Sequence, residues 1–288
     1  MLKKRIIASI IIKNNIAVQS LNFKNYLPIG SPTIAVEYLN RWGIDEIIIL
    51  DISASINNQK PNFQLVKEAS KKCFVPITAG GGINQLDQIS ELMNCGADKI
   101  SLNQSVFTKK NLITNAAKKF GNQCIVVSID AVKENNSYKV YNYLTKKTMN
   151  ISPALFATQL VDLGAGEILI NSVDRDGSYK GYDIELINSV CNSVDVPVIC
   201  SGGAKNALDF IEIFNKSNVS GASAANMFHF NEHSVNLTKK IIKDHINIRT
   251  ESQINYLNFS FDEMCRLQKQ EDETLEKLLF TKIDKEII

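Results

Sequence analysis

The sequence predicts an α/β fold, a closed (β/α)8 barrel of the TIM-barrel kind with an internal half-barrel repeat, followed by a C-terminal helical extension. Three observations lead there. Eight short Ile- and Val-rich runs fall at 5–12, 46–51, 75–79, 98–102, 124–130, 167–172, 196–200 and 219–225, separated by longer amphipathic segments. Such near-continuous apolar runs belong to parallel strands buried on both faces. The chain also repeats itself after about 121 residues. Val75-Pro76-Ile77-Thr78-Ala79-Gly80-Gly81-Gly82 returns as Val196-Pro197-Val198-Ile199-Cys200-Ser201-Gly202-Gly203, and Gly43-Ile44-Asp45-Glu46-Ile47 returns as Gly164-Ala165-Gly166-Glu167-Ile168. Finally, an open doubly wound sheet gives no reason for two equivalent halves, whereas a barrel with four strand–helix units in each half does. The halves run over about 1–121 and 122–249, and 250–288 lies outside both.

Taken in order, the elements support that reading. Met1 to Ile7 is basic and then apolar like a leader peptide, but Lys13 and Asn14 end the run early and no small-residue cleavage site follows, so it reads as a buried strand. Pro32 opens a helix that stops at Gly43, and a second helical pattern over 84–94 stops before Gly96. Residues 137–143 alternate like a strand and extend the loop after the fifth strand. In the extension, Phe261, Met264, Cys265 and Leu267, then Leu275, Leu278 and Leu279, recur at helical spacing. One or two amphipathic helices are expected there, either packed on the barrel or docking a partner.

Composition narrows the function classes. The chain has 288 residues, 44% of them hydrophobic, and a net charge of +2. There is no electrostatic reason to expect nucleic acid or an anionic membrane as partner. No apolar run reaches the ~18 residues a membrane span needs. Six cysteines stand singly, without metal-ligand spacing, which fits reduced thiols in a cytoplasmic protein and implies neither a metal nor a cofactor.

In a barrel of this kind the chemistry gathers at the C-terminal ends of the strands. Glycines there let backbone N–H groups approach a phosphate. Gly81 and Gly82 with Asn103 form one candidate cradle, and Asp176, Gly177, Gly202, Gly203, Ala225 and Asn226 form a second, so a ligand with a phosphate at each end is expected. Asp130 ends an otherwise apolar strand and is the candidate acid–base residue, its proton affinity raised by burial; helix capping is the alternative. The first half carries Ile11 where the second carries Asp130. Asp51 and Asp176 stand at comparable strand ends, while His229 and His233 read as packing or surface residues. At the opposite end, Arg5, Glu46, Lys99 and Glu167 each begin a strand. Four charges of alternating sign there form a ring, which by itself reads as a salt-bridge plug.

These residues resemble the HisF family, the cyclase subunits of imidazole glycerol phosphate synthase, across 1–249. The resemblance rests on Lys4-Arg5-Ile6-Ile7-Ala8, Leu50-Asp51-Ile52-Ser53-Ala54-Ser55, the glycines at 80–82, Gly96-Ala97-Asp98-Lys99, Ser128-Ile129-Asp130-Ala131, Asp174-Arg175-Asp176-Gly177, Gly181-Tyr182-Asp183, Ser201-Gly202-Gly203-Ala204 and Phe228-His229-Phe230. It implies a heterodimer with a HisH-like glutaminase, with Asp98 at the interface. It also implies an ammonia gate made by the charged ring, passage along the barrel axis past Thr78 and Ser201, and reaction at the top with a phosphorylated small molecule.

The sequence departs from the family at that upper end. The family uses two strand-end aspartates, and the first is Ile11 here. Gln19 stands for a loop lysine, Gln104 for a hydroxyl residue and Asn15 for a glycine. The pattern, with Pro61-Asn62-Phe63 and Cys73-Phe74-Val75-Pro76, is similar to a paralogous HisF-like branch that works with a glutaminase and a sugar amidotransferase in surface-polysaccharide (lipopolysaccharide) amidination. The expected function is therefore ammonia delivery for that amidination, with the histidine-pathway cyclase as the alternative.

Overall fold

The computed structural model describes residues 3–231, 233–250 and 260–268. The strands are β1 (Arg5–Lys13), β2 (Ile16–Leu21), β3 (Asn25–Gly30), β4 (Glu46–Asp51), β5 (Ile77–Gly80), β6 (Lys99–Leu102), β7 (Ile125–Glu134), β8 (Ser137–Asn142), β9 (Lys147–Thr148), β10 (Glu167–Ser172), β11 (Val198–Ser201) and β12 (Gly221–Ala224). The helices are α1 (Pro32–Arg41), α2 (Ile52–Ile56), α3 (Phe63–Ser70), α4 (Leu86–Asn94), α5 (Ser105–Thr108), α6 (Asn111–Phe120), α7 (Pro153–Asp162), α8 (Ile184–Cys191), α9 (Ala207–Lys216) and α10 (Ser234–Ile242). Parallel pairing runs β10-β11-β12-β1-β4-β5-β6-β7, and β7 pairs back to β10. The eight apolar runs are therefore the eight staves of a closed barrel.

Two apolar layers follow from the two faces of those strands. Outward-facing Ile6, Ile47, Ile100 and Ile168 pack under the helices in one large core. Inward-facing Ile7, Ile48, Val126, Leu169 and Ile199 form a small separate cluster across the barrel axis. Helix α10 is tied to the barrel by a buried ion pair. Lys239 Nζ donates to Asp45 Oδ1 at 2.6 Å, and Asp45 Oδ2 accepts from the Ile6 amide at 2.8 Å.

Residues 137–143 do extend the strand-five loop, with β8 antiparallel to the long upper end of β7. The β2–β3 hairpin after β1 went unread in the sequence, because its apolar stretches are short, Ile16-Ala17-Val18 in β2, and β3 is interrupted by Pro28. The extension departs from expectation. Residues 260–268 form a turn closed by an antiparallel bridge between Phe261 and Leu267, rather than a helix. Its cause is Asp262, whose carboxylate accepts the Met264 and Arg266 amides at 2.9 Å each. A side chain that captures nearby amides in this way competes with helical hydrogen bonding. Leu275, Leu278 and Leu279 lie outside the described residues.

Candidate active site

A cavity of about 570 Å3 opens at the C-terminal ends of the strands. Ser9, Ser101, Ser128 and Ser201 line it, with Ile11, Leu50, Ile52 and Ile56 on one side and Asp51, Asp130 and Asp176 among its carboxylates. Strand alternation accounts for the order of the layers. On β1, Arg5, Ile7, Ser9 and Ile11 all point to the axis, giving a charged base, an apolar middle, a hydroxyl layer and then the mouth.

Asp130 is buried on β7 but does not end it as expected, because the strand runs on to Glu134 in order to pair with β8. Burial raises its pKa to about 6, against hydrogen bonds from Asn171 and Asn103 that hold the ionised form. Asn171 Nδ2 donates to Oδ1 and Asn103 Nδ2 to Oδ2, each at 2.9 Å. A carboxyl group with that affinity changes protonation state near neutral pH, as a general acid or base requires. Of the two readings of Asp130, the carboxyl facing the cavity is observed, and no helix is capped by it. Asp51 does cap one, its Oδ1 accepting the Ser53 and Ala54 amides of α2 at 2.9 and 3.1 Å. Ile11 lines the same cavity beside Leu50, its register partner on β4.

The first candidate cradle opens into the cavity through Gly81, Gly82, Asn103 and Gln104. Gly81 has φ +111, and a Cβ there would lie 2.3 Å from the Asp51 carbonyl oxygen, so no other residue fits. Asn103, expected to complete this cradle, spends both amide protons elsewhere, on Asp130 and on the Ser128 carbonyl at 3.1 Å.

The second cradle is arranged differently. Ser201, Asp176 and Ala225 line the cavity, but Gly177, Gly202, Gly203 and Asn226 do not. The β2–β3 hairpin lies against Gly177 and Asn226, whereas Gly202 packs on the Ser172 backbone and Gly203 on Gly181. Asn226 Nδ2 donates to the Ser20 carbonyl at 2.8 Å, and its Oδ1 accepts the Ser20 amide at 3.2 Å. Asp176 Oδ2 accepts from Ser20 Oγ at 2.6 Å and from the Phe23 amide at 3.2 Å. Burial raises the Asp176 carboxyl above its ordinary range even so. Of the six residues expected to form this cradle, Asp176 and Ala225 therefore reach the cavity, and the hairpin holds Asp176 and Asn226.

At the base, the four charges close into one network. Arg5 pairs with Glu46 at 2.6 Å and with Glu167, and Lys99 lies 3.0 Å from Glu46 and 2.8 Å from Glu167. Thr78 Oγ1 donates to Glu46 Oε1 at 3.0 Å. Burial acts against the Arg5 charge, yet its two carboxylate partners raise its proton affinity overall. Asp98 is exposed on this same face, where its Oδ2 accepts the Ile77 amide at 2.8 Å. His229 is buried and neutral, with its pKa lowered to about 4 by burial, as a packing residue would be.

Sequence reading missed Asn171, which holds Asp130, and Ser128, which anchors the amides of Asn171 and Asn103. The signal was present: Glu167, Leu169 and Asn171 share one face of β10, and an amide at the top of an inward-facing row needs a polar partner.

Comparison with known proteins now bears on this arrangement. The family model described as "Histidine biosynthesis protein" matches residues 5–234. The "Imidazole glycerol phosphate synthase subunit HisF" of Streptococcus mutans is 40% identical over 246 residues, spanning 85% of this chain and 98% of that protein. Its namesake from Bacillus subtilis is 40% identical over 252 residues, 86% of this chain and all of its own length. A Vibrio vulnificus protein named "Putative imidazole glycerol phosphate synthase subunit hisF2" is 43% identical over 267 residues, 92% of this chain and 98% of its own. A barrel with this site and these relatives is a histidine-biosynthesis-type (β/α)8 protein; the chain belongs to the HisF family. The Vibrio match covers more of the chain than residues 1–249 provide, so the resemblance reaches into the extension, contrary to expectation. No helix among the described residues is long and apolar enough to cross a membrane.

Proposed function

We propose that this protein is the synthase subunit of a glutamine-dependent pair, receiving ammonia from a HisH-like glutaminase and using it at the upper cavity on a phosphorylated small molecule. The cyclase reaction of imidazole glycerol phosphate synthase, in histidine biosynthesis, is the reading the relatives favour. The observation that carries it is full-length likeness to HisF proteins, combined with a closed charge ring at one end of the axis and a buried, titratable Asp130 at the other.

In this reading Arg5, Glu46, Lys99 and Glu167 form the ammonia gate, and Asp98 faces the glutaminase. The apolar ring of Ile7, Ile48, Val126, Leu169 and Ile199 passes neutral ammonia and disfavours ions, because an unpaired charge there would lose its hydration. Asp130 then takes up a proton from nitrogen as the new carbon–nitrogen bond forms. Gly81, Gly82 and Gln104 hold one phosphate, and the second cradle takes another when the β2–β3 hairpin lifts. Residues 1–249 make the catalytic barrel and 250–288 an accessory segment.

A second reading rests on Ile11. Isoleucine carries no proton, and loss of one acid–base partner costs on the order of 10²–10⁴ in rate. With an extension shared in part with the Vibrio hisF2 protein, this favours another acceptor, a surface-polysaccharide sugar reached through an amidotransferase. One experiment separates the two: turnover of the histidine-pathway substrate with ammonium salts, for wild type and Ile11→Asp. Turnover by the wild type at the rate of Bacillus subtilis HisF establishes the cyclase. No turnover, with a gain of at least tenfold in Ile11→Asp, moves the reaction to the other acceptor.

A further inference from the structure

The Asp130 carboxylate at the top of the barrel is held from both sides by neutral amides, one from each neighbouring strand or the residue after it. Asn103 follows β6 and Asn171 lies on β10, and these strands flank β7. Asn171 and Asp130 are direct register partners. Each amide spends both N–H groups in the same pattern. Asn171 Nδ2 reaches Asp130 Oδ1 at 2.9 Å and Ser128 Oγ at 3.0 Å. Asn103 Nδ2 reaches Asp130 Oδ2 at 2.9 Å and the Ser128 carbonyl at 3.1 Å. Ser128 therefore anchors both amides, two residues before the carboxylate they hold. The carboxylate cannot rotate without breaking a bond on each side, and one lone pair per oxygen is left for the cavity.

From this geometry we infer that Asn171 is a positioning residue, which with Asn103 fixes the orientation of Asp130 and keeps it ionised as a base in a site that has no second acid on β1. The inference rests on the proposed role of Asp130 as the reacting group and adds the device that supplies its orientation. The facing groups agree with it. Ile11 and Leu50 across the cavity bring no charge, and Asp176 is the other carboxylate that acts on Asp130, disfavouring its ionisation. The Tyr26 and Tyr143 phenols also feel Asp130, and Lys13, Lys24 and Lys146 line the same cavity, but among the described residues the two amides are the side chains whose hydrogen bonds favour its charge. A leucine in place of Asn171 keeps the branched shape, at somewhat larger volume, and removes the donors. An aspartate keeps the shape and turns a donor into an acceptor of like charge.

The test is a pH titration of the Asp130 carboxyl by carbon-13 NMR in the full chain labelled at aspartate, its signal identified by loss in Asp130→Asn. The wild-type midpoint is expected near the value of about 6. Asn171→Leu should move it upward by about one pH unit, and Asn171→Asp by more, since hydrogen bonds to the ionised form and like charges act in these directions. In the ammonium-dependent assay, Asn171→Leu should lower kcat about tenfold at pH 7 with KM little changed. A midpoint that stays within a few tenths of a unit in folded Asn171→Leu and Asn171→Asp overturns the inference, whatever the activity. A shifted midpoint in a protein that turns over no substrate upholds the clamp and counts instead against the proposed reaction.

Discussion

The two ends of the barrel axis solve the same problem in opposite ways. Both bury carboxylates, which is costly unless each is paired or hydrogen-bonded. At the base, Glu46 and Glu167 each touch both Arg5 and Lys99, so charge is answered by charge. At the mouth, Asp130 is answered by two amides, which stabilise its ionised form without supplying a full charge. Four interlocked ions make a fixed structure. A carboxylate on neutral donors stays close to the balance between its protonated and ionised states, which is useful where protons must move.

The largest effect that would break this comparison lies at the mouth. Asp130→Asn keeps the side chain's shape and removes its basicity. Ammonium-dependent turnover should fall on the order of 10²–10⁴-fold, while binding of the glutaminase at the base stays within twofold. A variant with more than a tenth of wild-type turnover would show that Asp130 is not the base. At the base, Glu46→Ala leaves two cations sharing Glu167 and orphans the Thr78 hydroxyl. Removing one member of a buried ion network costs about 3–5 kcal/mol, with the lower end expected here because Arg5 and Lys99 keep some exposure. Urea unfolding reads this directly. A loss below about 1 kcal/mol would mean that the ring's charges are satisfied by water rather than by one another.

How much of this was legible follows the same division. The base was readable because each of its charges begins an apolar strand, where alternation alone points it to the axis. Asp130 was readable because it closes an otherwise apolar run, and Ile11 because the repeat supplies the comparison. The grip on Asp130 was not, since it depends on the register between consecutive staves, which sets Asn171 directly opposite Asp130 and which apolar patterning does not fix. The β2–β3 hairpin was hidden for another reason. Its contacts to Asp176 and Asn226 join residues some 150–200 positions apart, through Ser20 and backbone groups that carry no compositional signal. In the extension, apolar spacing pointed to helix over 260–268, and the side chain of Asp262 overrode it locally.

The mouth and the base should also differ in their response to pH. The folded protein holds a proton on Asp130 up to about pH 6, whereas an unfolded aspartate releases it near 3.8. Between those values the native state binds more protons, so this group's contribution to stability falls as pH rises. The whole change is at most about 3 kcal/mol. His229 works in the opposite sense, because its pKa lowered to about 4 makes acidification favour the unfolded chain. Comparing wild type with Asp130→Asn cancels the histidine. The stability of the wild type relative to the variant should therefore decline from pH 4 to pH 6 and then level off. A flat difference across that window would place the Asp130 affinity at its ordinary value and remove the contrast between the two ends.

The smallest effect concerns the hairpin that lies against the second cradle. Asn226 holds Ser20 through two hydrogen bonds, and Asp176 adds three more, from the Ser20 hydroxyl and the Asn22 and Phe23 amides. Each contributes about 0.5–1.5 kcal/mol net, and somewhat more where the carboxylate is the acceptor. Asn226→Ala removes two of the five and should release the hairpin by about 1–2 kcal/mol without loosening the barrel, because β2 pairs with β1 alone among the eight staves and β3 pairs with β2. Hydrogen exchange at the Ser20 and Asn22 amides should then quicken about tenfold, with exchange in β7 and β10 unchanged. If the second cradle does take a phosphate when the hairpin lifts, Ser20→Ala, which removes a hairpin bond and no cradle residue, should bind inorganic phosphate more tightly, since less of the binding energy is spent on opening. Faster exchange with unchanged phosphate affinity would leave the hairpin as a covering element and assign anion binding to the Gly81–Gly82 side alone.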